Sequence, residues 1–260
     1  MNYHFFDYKY NIPSYHGEDF ASLIRFAYPV ISLILIVFLL RHVHRRGPEG
    51  MTKFLKILSV YLILEEVCKI SWESWWDITT GQGFNAGGIL PLDTCSIFLY
   101  VLPIAAYGKG KARRCALAWM SSIGVLSGVS YMLFPMVLKW YPIVSYGAYH
   151  SLMFHFMMVF TGLAVIVCGM IRIHGEDILY GFIPQLLMAA VVIPLDYRFG
   201  WDYMLLKNAS GIPFVESLAG HFKASGLGYL TTFVVMILYL SMDSVSMVLH
   251  YQVQHHLGNR

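Results

Sequence analysis

Residues 22–40 read SLIRFAYPVISLILIVFLL, a run with a single charge, Arg25. A hydrocarbon layer about 30 Å thick is crossed by about 20 residues of helix rising about 1.5 Å each, so this run reads as a transmembrane span. Working outward from it, six further runs of comparable apolarity lie near 54–76, 89–107, 115–137, 143–171, 179–197 and 225–250. Of the 260 residues, 57% are hydrophobic and 13% charged, where a soluble chain needs about 25% charged residues to cover its surface. The pattern predicts an all-α fold, with 1–260 forming one transmembrane domain, a polytopic bundle of about seven helices. The same composition excludes soluble enzymes and gives no surface for nucleic acid.

Seven spans put the termini on opposite sides. Eleven basic residues (Arg41, Arg45, Arg46, Lys53, Lys56, Lys109, Lys111, Arg113, Arg114, Arg172, Arg260) fall towards one side and five (Lys9, Lys139, Arg198, Lys207, Lys223) towards the other, with Arg25 and Lys69 within spans. The positive-inside rule makes the richer side cytoplasmic. The expectation is an outside N-terminus, a cytoplasmic C-terminus and residence in the cell membrane. Pro184 and Pro194 interrupt the sixth run, so six spans plus a re-entrant segment is the alternative. The N-terminus lacks the basic start and cleavage site of a secretory signal, so the first span is expected to be retained. Cys68, Cys95, Cys115 and Cys168 lie in or beside apolar runs, where a structural disulfide is not expected.

Two outer segments stand apart. Residues 1–20 carry Tyr3, Phe5, Phe6, Tyr8, Tyr10 and Tyr15, which suits an interfacial aromatic segment covering an outer cavity. The outer loop 198–224 is long and mixes apolar with polar residues, the mark of a lid or a re-entrant element as much as of a surface loop. Trp72, Trp75 and Trp76 read as an interfacial belt, and Ser121, Gly124 and Gly128 as a close helix seam. Asn208-Ala209-Ser210 is a glycosylation sequon. Lys109 to Arg114 reads as a cytoplasmic charge anchor. His42, His44, His255 and His256 lie on loops without a ligand set, so no metal is expected.

Ionisable residues inside a membrane are costly and mark function by default. Glu65, Glu66, Lys69 and Glu73 share the second run, with Glu66, Lys69 and Glu73 at i, i+3 and i+7 on one helical stripe. A structural salt-bridge ladder and a functional cluster both fit that stripe. The third run opens GGILPLDTCSIFLY and brings in Asp93 and Cys95. The fifth holds His150 and His155, five residues apart and so about 140° apart around a helix; at most one of them meets Cys95. Counted from the outer boundary, Cys95 and His150 both lie about 10 Å deep at about 1.5 Å per residue. A cysteine beside a histidine is the minimal apparatus for acyl transfer through a thioester, with a carboxylate such as Asp93 or Glu66 orienting the imidazole.

The stretch from Leu90 to Ile104, LPLDTCSIFLYVLPI, resembles a segment of the YwaF-like bacterial integral membrane family, whose eukaryotic relatives form the transmembrane-protein-164 acyltransferase family. Trp72 to Gly81, Tyr141-Pro142, Tyr149-His150-Ser151 and Asp202-Tyr203-Met204-Leu205 follow in the same order, so the resemblance covers about 60 to 245. It departs at Asp93, where histidine is common, and at Asp202, where asparagine is usual. The resemblance implies transfer of a fatty acyl chain between membrane phospholipids, as donor and acceptor, in the outer half of the bilayer. It implies Cys95 as nucleophile and His150 as general base. Asp93 and Glu66 would be orienting groups, Lys69 would hold a lipid phosphate or carbonyl oxygen, and His155 would support. No cofactor, metal or protein partner is implied. The alternatives are a transporter or channel lined by the carboxylates of the second run, with Asp196 and Asp243 extending the path, and a lipid-binding protein without chemistry.

Overall fold

The computed structural model describes residues 3–9, 12, 14–209 and 213–258. Tyr10, Ser210, Arg260 and the side chains of His255 and His256 lie outside the described residues. The helices are α1 Glu18–Ala21, α2 Ile24–His44, α3 Gly47–Thr79, α4 Ala86–Ile89, α5 Ile97–Tyr107, α6 Gly110–Trp119, α7 Val125–Leu133, α8 Tyr146–Val167, α9 Asp177–Phe199, α10 Pro213–Ala224 and α11 Leu230–Gly258. A π turn, Met120–Gly124, joins α6 to α7, and 3-10 turns cover Met136–Lys139 and Tyr203–Leu205. There is no strand among the described residues, and the chain is an all-α polytopic membrane protein.

Among the described residues five segments are long and apolar enough to cross a membrane: Ile24–His44, Gly110–Lys139, Tyr146–Val167, Asp177–Phe199 and Leu230–Gln252. The second predicted run lies in α3, whose 33 residues carry too many charges to meet that standard. The third differs more. It is a helix of only 11 residues, α5, about 16 Å long at about 1.5 Å per residue. Residues 90–96 ahead of it are not helical. Pro91 supplies the reason, since it has no N–H and pushes Leu90 towards extended backbone. Cys95, expected about six residues inside a helix, instead occupies a turn.

The chain divides into two compact units. The first comprises Met1–Ile89 and Gly124–Met170. Its centre is α8, packed against α2, α3 and α7. Ser145 caps α8 by accepting from Ala148 N, and Gly169 ends it at φ 71, where Met170 N reaches back to Val165 O. Gly128 of α7 is the tight point: a Cβ there would stand 2.5 Å from Val159 Cγ2 and 3.2 Å from His155 O. The predicted seam is real at that residue. α2 turns Val30, Leu33, Ile34 and Phe38 outward, a lipid-facing surface in a membrane protein. The N-terminal segment covers the α3 and α8 ends of this unit. Tyr8, Ile12 and Tyr15 are buried with Leu138, Tyr141 and Leu152. Tyr8 donates to Asp77 Oδ1 at 3.0 Å, Tyr15 to Leu138 O at 2.6 Å, and Tyr146 N to Phe5 O at 2.6 Å. Trp72 and Trp76 pack on this cluster rather than forming a free belt, while Trp75 is exposed.

The second unit comprises Leu90–Ile123 and Ile171–Arg260. α6 lies along α9, α5 against α6, and α11 along α9 with α10 on its flank. Arg114 grips the fully buried Asp177 with two nitrogens, at 2.6 and 3.0 Å, the bidentate geometry that makes a buried carboxylate tolerable. The outer loop is not a plain surface loop: Tyr203, Met204, Leu206 and Ala209 are buried, and α10 follows. Asp202 Oδ1 organises it by accepting from Lys207 N and Asn208 N, and Asp196 Oδ1 accepts from Tyr203 N.

Candidate functional site

In the first unit, Glu66 is the hub. One carboxylate oxygen accepts from Lys69 Nζ at 2.9 Å and the other lies 3.3 Å from His150 Nε2. Lys69 also reaches Glu73 Oε2 at 3.7 Å and Ile89 O at 3.5 Å. Glu66 and His150 are both buried, so a carboxylate stands beside the ring away from water, the kind of neighbour that holds an imidazole for use as a base. The Lys69 ammonium lies between two carboxylates and holds Glu66. Glu65 lies beside the stripe, and its carbonyl accepts from Tyr146 OH at 3.4 Å. His155 is not part of this group. Its Nδ1 bonds Ser151 O at 2.7 Å and its ring stacks on Tyr131 at 3.6 Å, as its place around the helix requires.

In the second unit, Cys95 sits in the turn that enters α5, with Ser96 N bonded to Asp93 O at 2.9 Å and Phe98 N to Cys95 O at 3.0 Å. The N-terminal end of α5 therefore presents its positive dipole end to this turn, where negative charge is favoured. The turn is clamped from both neighbours of the cysteine's lead-in. Asp93 Oδ1 accepts from Met204 N at 3.2 Å. Thr94 Oγ1 donates to Tyr239 OH at 2.8 Å, and Tyr239 OH donates on to Met204 O at 3.0 Å. Thr94 in turn accepts from Gln185 Nε2 at 3.3 Å, whose Oε1 takes Trp119 Nε1 at 3.4 Å. Both backbone groups of Met204 are thus held, and Met204 and Leu205 adopt left-handed φ values of 54° and 59°, a conformation that costs about 1–3 kcal/mol per non-glycine residue and persists where surroundings enforce it.

An apolar groove of about 490 Å³ starts beside this turn at Leu92 and Ile97 and runs between α5, α6 and α9 past Tyr100 and Ile104 to Cys115. Asp93 is thus an anchor of the loop that follows α9. Thr94 and Gln185 escape a search confined to ionisable residues. The signal that finds them is the cost of a hydroxyl or amide in an apolar span, which is small only when it is paired.

No group of three or more histidine, cysteine, aspartate or glutamate side chains suited to a metal occurs among the described residues. No curated protein and no solved structure matches the chain. The TMEM164 family model matches residues 14–242, a stretch that takes in α2 to α9, the clamped cysteine turn, the Glu66 hub and Asp202, and the chain is a member of the TMEM164 family.

Proposed function

We propose that this chain is a phospholipid transacylase of the cell membrane, with Cys95 as nucleophile and His150 as general base. The observation that carries the reading is the fixation of both residues: Cys95 on a turn anchored through Asp93 and Thr94, and His150 on the Glu66 carboxylate. Mobile side chains waste the effective concentration on which acyl transfer depends.

In this reading His150 takes the Cys95 thiol proton and the thiolate attacks the ester carbonyl of a donor phospholipid. The carbon–oxygen bond breaks, the leaving lysophospholipid oxygen receives the proton from His150, and an acyl thioester remains on Cys95. An acceptor lysophospholipid then gives its hydroxyl proton to His150 and attacks the thioester, and the sulfur leaves as thiolate. The groove from Leu92 to Cys115 seats the acyl chain, and Glu66 holds the imidazolium that forms. In this reading the orientation expected from the basic residues, with the N-terminus outside, makes the outer leaflet the place of this chemistry.

The test is labelling of the protein in nanodiscs by a phospholipid with a clickable acyl chain. A hydroxylamine-sensitive label that disappears in Cys95→Ala and forms more slowly in His150→Ala is the expected result. A wild-type protein that takes no label from any of several donors, with Cys95 inert to alkylation, overturns the reading in favour of a non-catalytic lipid-binding protein.

A further inference from the structure

A second cluster in the second unit has no part in acyl transfer. Asp243 of α11 is fully buried, and neither of its carboxylate oxygens has a hydrogen-bond partner. Among the described residues no ion pair reaches it. The carboxylate lies on Gly181 of α9, where a Cβ would stand 2.8 Å from Asp243 Oδ1, 3.2 Å from Ser122 Oγ and 3.0 Å from Met247 Cε. Glycine is what admits Oδ1 to this spot; a Cβ there would force a neighbour to shift.

Ser122 is the polar side chain that faces the carboxylate. It is fully buried and lies in the π turn Met120–Gly124, a wide turn of the kind found often at functional sites. Its hydroxyl donates to Ala118 O at 2.9 Å, and Ser121 donates to the same carbonyl at 3.0 Å. A hydroxyl has one hydrogen. That one hydrogen is divided between Ala118 O and the carboxylate, so a single shared hydroxyl is the polar group Asp243 meets, out of reach of water. One turn along α9, the Gln185 amide is engaged by Trp119 and Thr94. Arg114, the nearby guanidinium, is committed to Asp177. Other titratable groups on these elements within two turns include Cys115, Tyr180, Tyr239 and His250. A charged, unpaired carboxylate in such a setting is strongly disfavoured, so a positive species has to complete it.

We propose that Asp243, Ser122 and Gly181 form a buried site for a small monovalent cation, a proton or a sodium ion. A cleft of about 290 Å³ gives the route: Ile178 and Met247 line it, and Met247 is the residue that closes it against Gly181. The unbranched thioether is the flexible kind of side chain that lets a small ion pass.

The experiment uses the intact protein in nanodiscs. Infrared spectra are taken for wild type, Asp243→Asn and Ser122→Ala at neutral pH. Thermal unfolding is measured in sodium and in choline chloride at equal ionic strength. A protonated-carboxyl band that vanishes in Asp243→Asn and shifts in Ser122→Ala, with no sodium effect, identifies the proton. Absence of that band together with stabilisation by sodium over choline, lost in Asp243→Asn, identifies sodium. Neither a protonated-carboxyl band nor a sodium-selective shift in the wild type overturns the site, and that result stands even if the variants fail to fold. Acyl labelling is no part of the readout, so the two proposals fail separately.

Discussion

Removing a single oxygen from Tyr239 tests whether the cysteine turn is held as described. Tyr239→Phe keeps the ring, deletes the 3.0 Å bond to Met204 O and leaves Thr94 Oγ1 without its acceptor at 2.8 Å. At about 1 kcal/mol net per hydrogen bond the loss is about 2 kcal/mol. That is comparable to the about 1–3 kcal/mol held in each left-handed non-glycine residue, and Met204 and Leu205 are two of them. The turn should therefore open more often by about 30-fold, at about 1.36 kcal/mol per tenfold. Hydrogen exchange in nanodiscs reads this directly, because local opening sets amide protection. Residues 202–206 and 93–97 should exchange about 30-fold faster, with α8 unchanged. An acceleration below about threefold, which is under about 0.7 kcal/mol on the same scale, refutes the reasoning.

Glu66→Ala strands Lys69 with Glu73 at 3.7 Å and removes the His150 partner. A broken buried pair costs about 3–5 kcal/mol, and partial exposure of Lys69 lowers this to about 2–3 kcal/mol; Glu66→Gln should lower the thermal midpoint by less than half as much. Gly128→Ala puts a methyl 2.5 Å from Val159 Cγ2 and should cost about 1–3 kcal/mol by overpacking, whereas Gly175→Ala, with nothing within 4 Å, should leave the midpoint unchanged. Burial and then the charge of Asp19 raise the Tyr15 hydroxyl above its ordinary value near 10, and burial and then Glu73 raise Tyr141. The unfolded chain ionises these phenols first, so their contribution is complete below about pH 10 and lost as pH rises beyond it. Thermal midpoints measured up the alkaline limb should fall less steeply in Tyr15→Phe.

Periodicity and hydropathy carried the helices whose faces are lipid and core: α2, α8, α9 and α11 lie where apolar runs predict them. The Glu66, Lys69 and Glu73 ladder is equally legible, since partners three and four residues apart on one helix need no tertiary information. The third span misled because hydropathy records transfer cost and not backbone bonding. Leu90, Pro91 and Leu92 are apolar enough for a span, yet Pro91 breaks the helix and Asp93 and Thr94 spend their side chains on Met204 and Tyr239. Which oxygen of Glu66 meets His150, and which helix passes Gly181 closely enough to touch Asp243, depend on the register between helices distant in sequence. That register is written only in the packing.

The N-terminal segment has a consequence in time. Tyr15 bonds Leu138 O, 123 residues further on, and Phe5 O waits for the Tyr146 amide. At about 5–20 residues per second of synthesis, the aromatic residues that finish the α3 and α8 ends stand without their partners for about 6–25 s while six helices, α2 to α7, are made. A headgroup layer that shelters tyrosine and phenylalanine is the natural holding place over that interval, which makes lipid a participant in the assembly of the first unit.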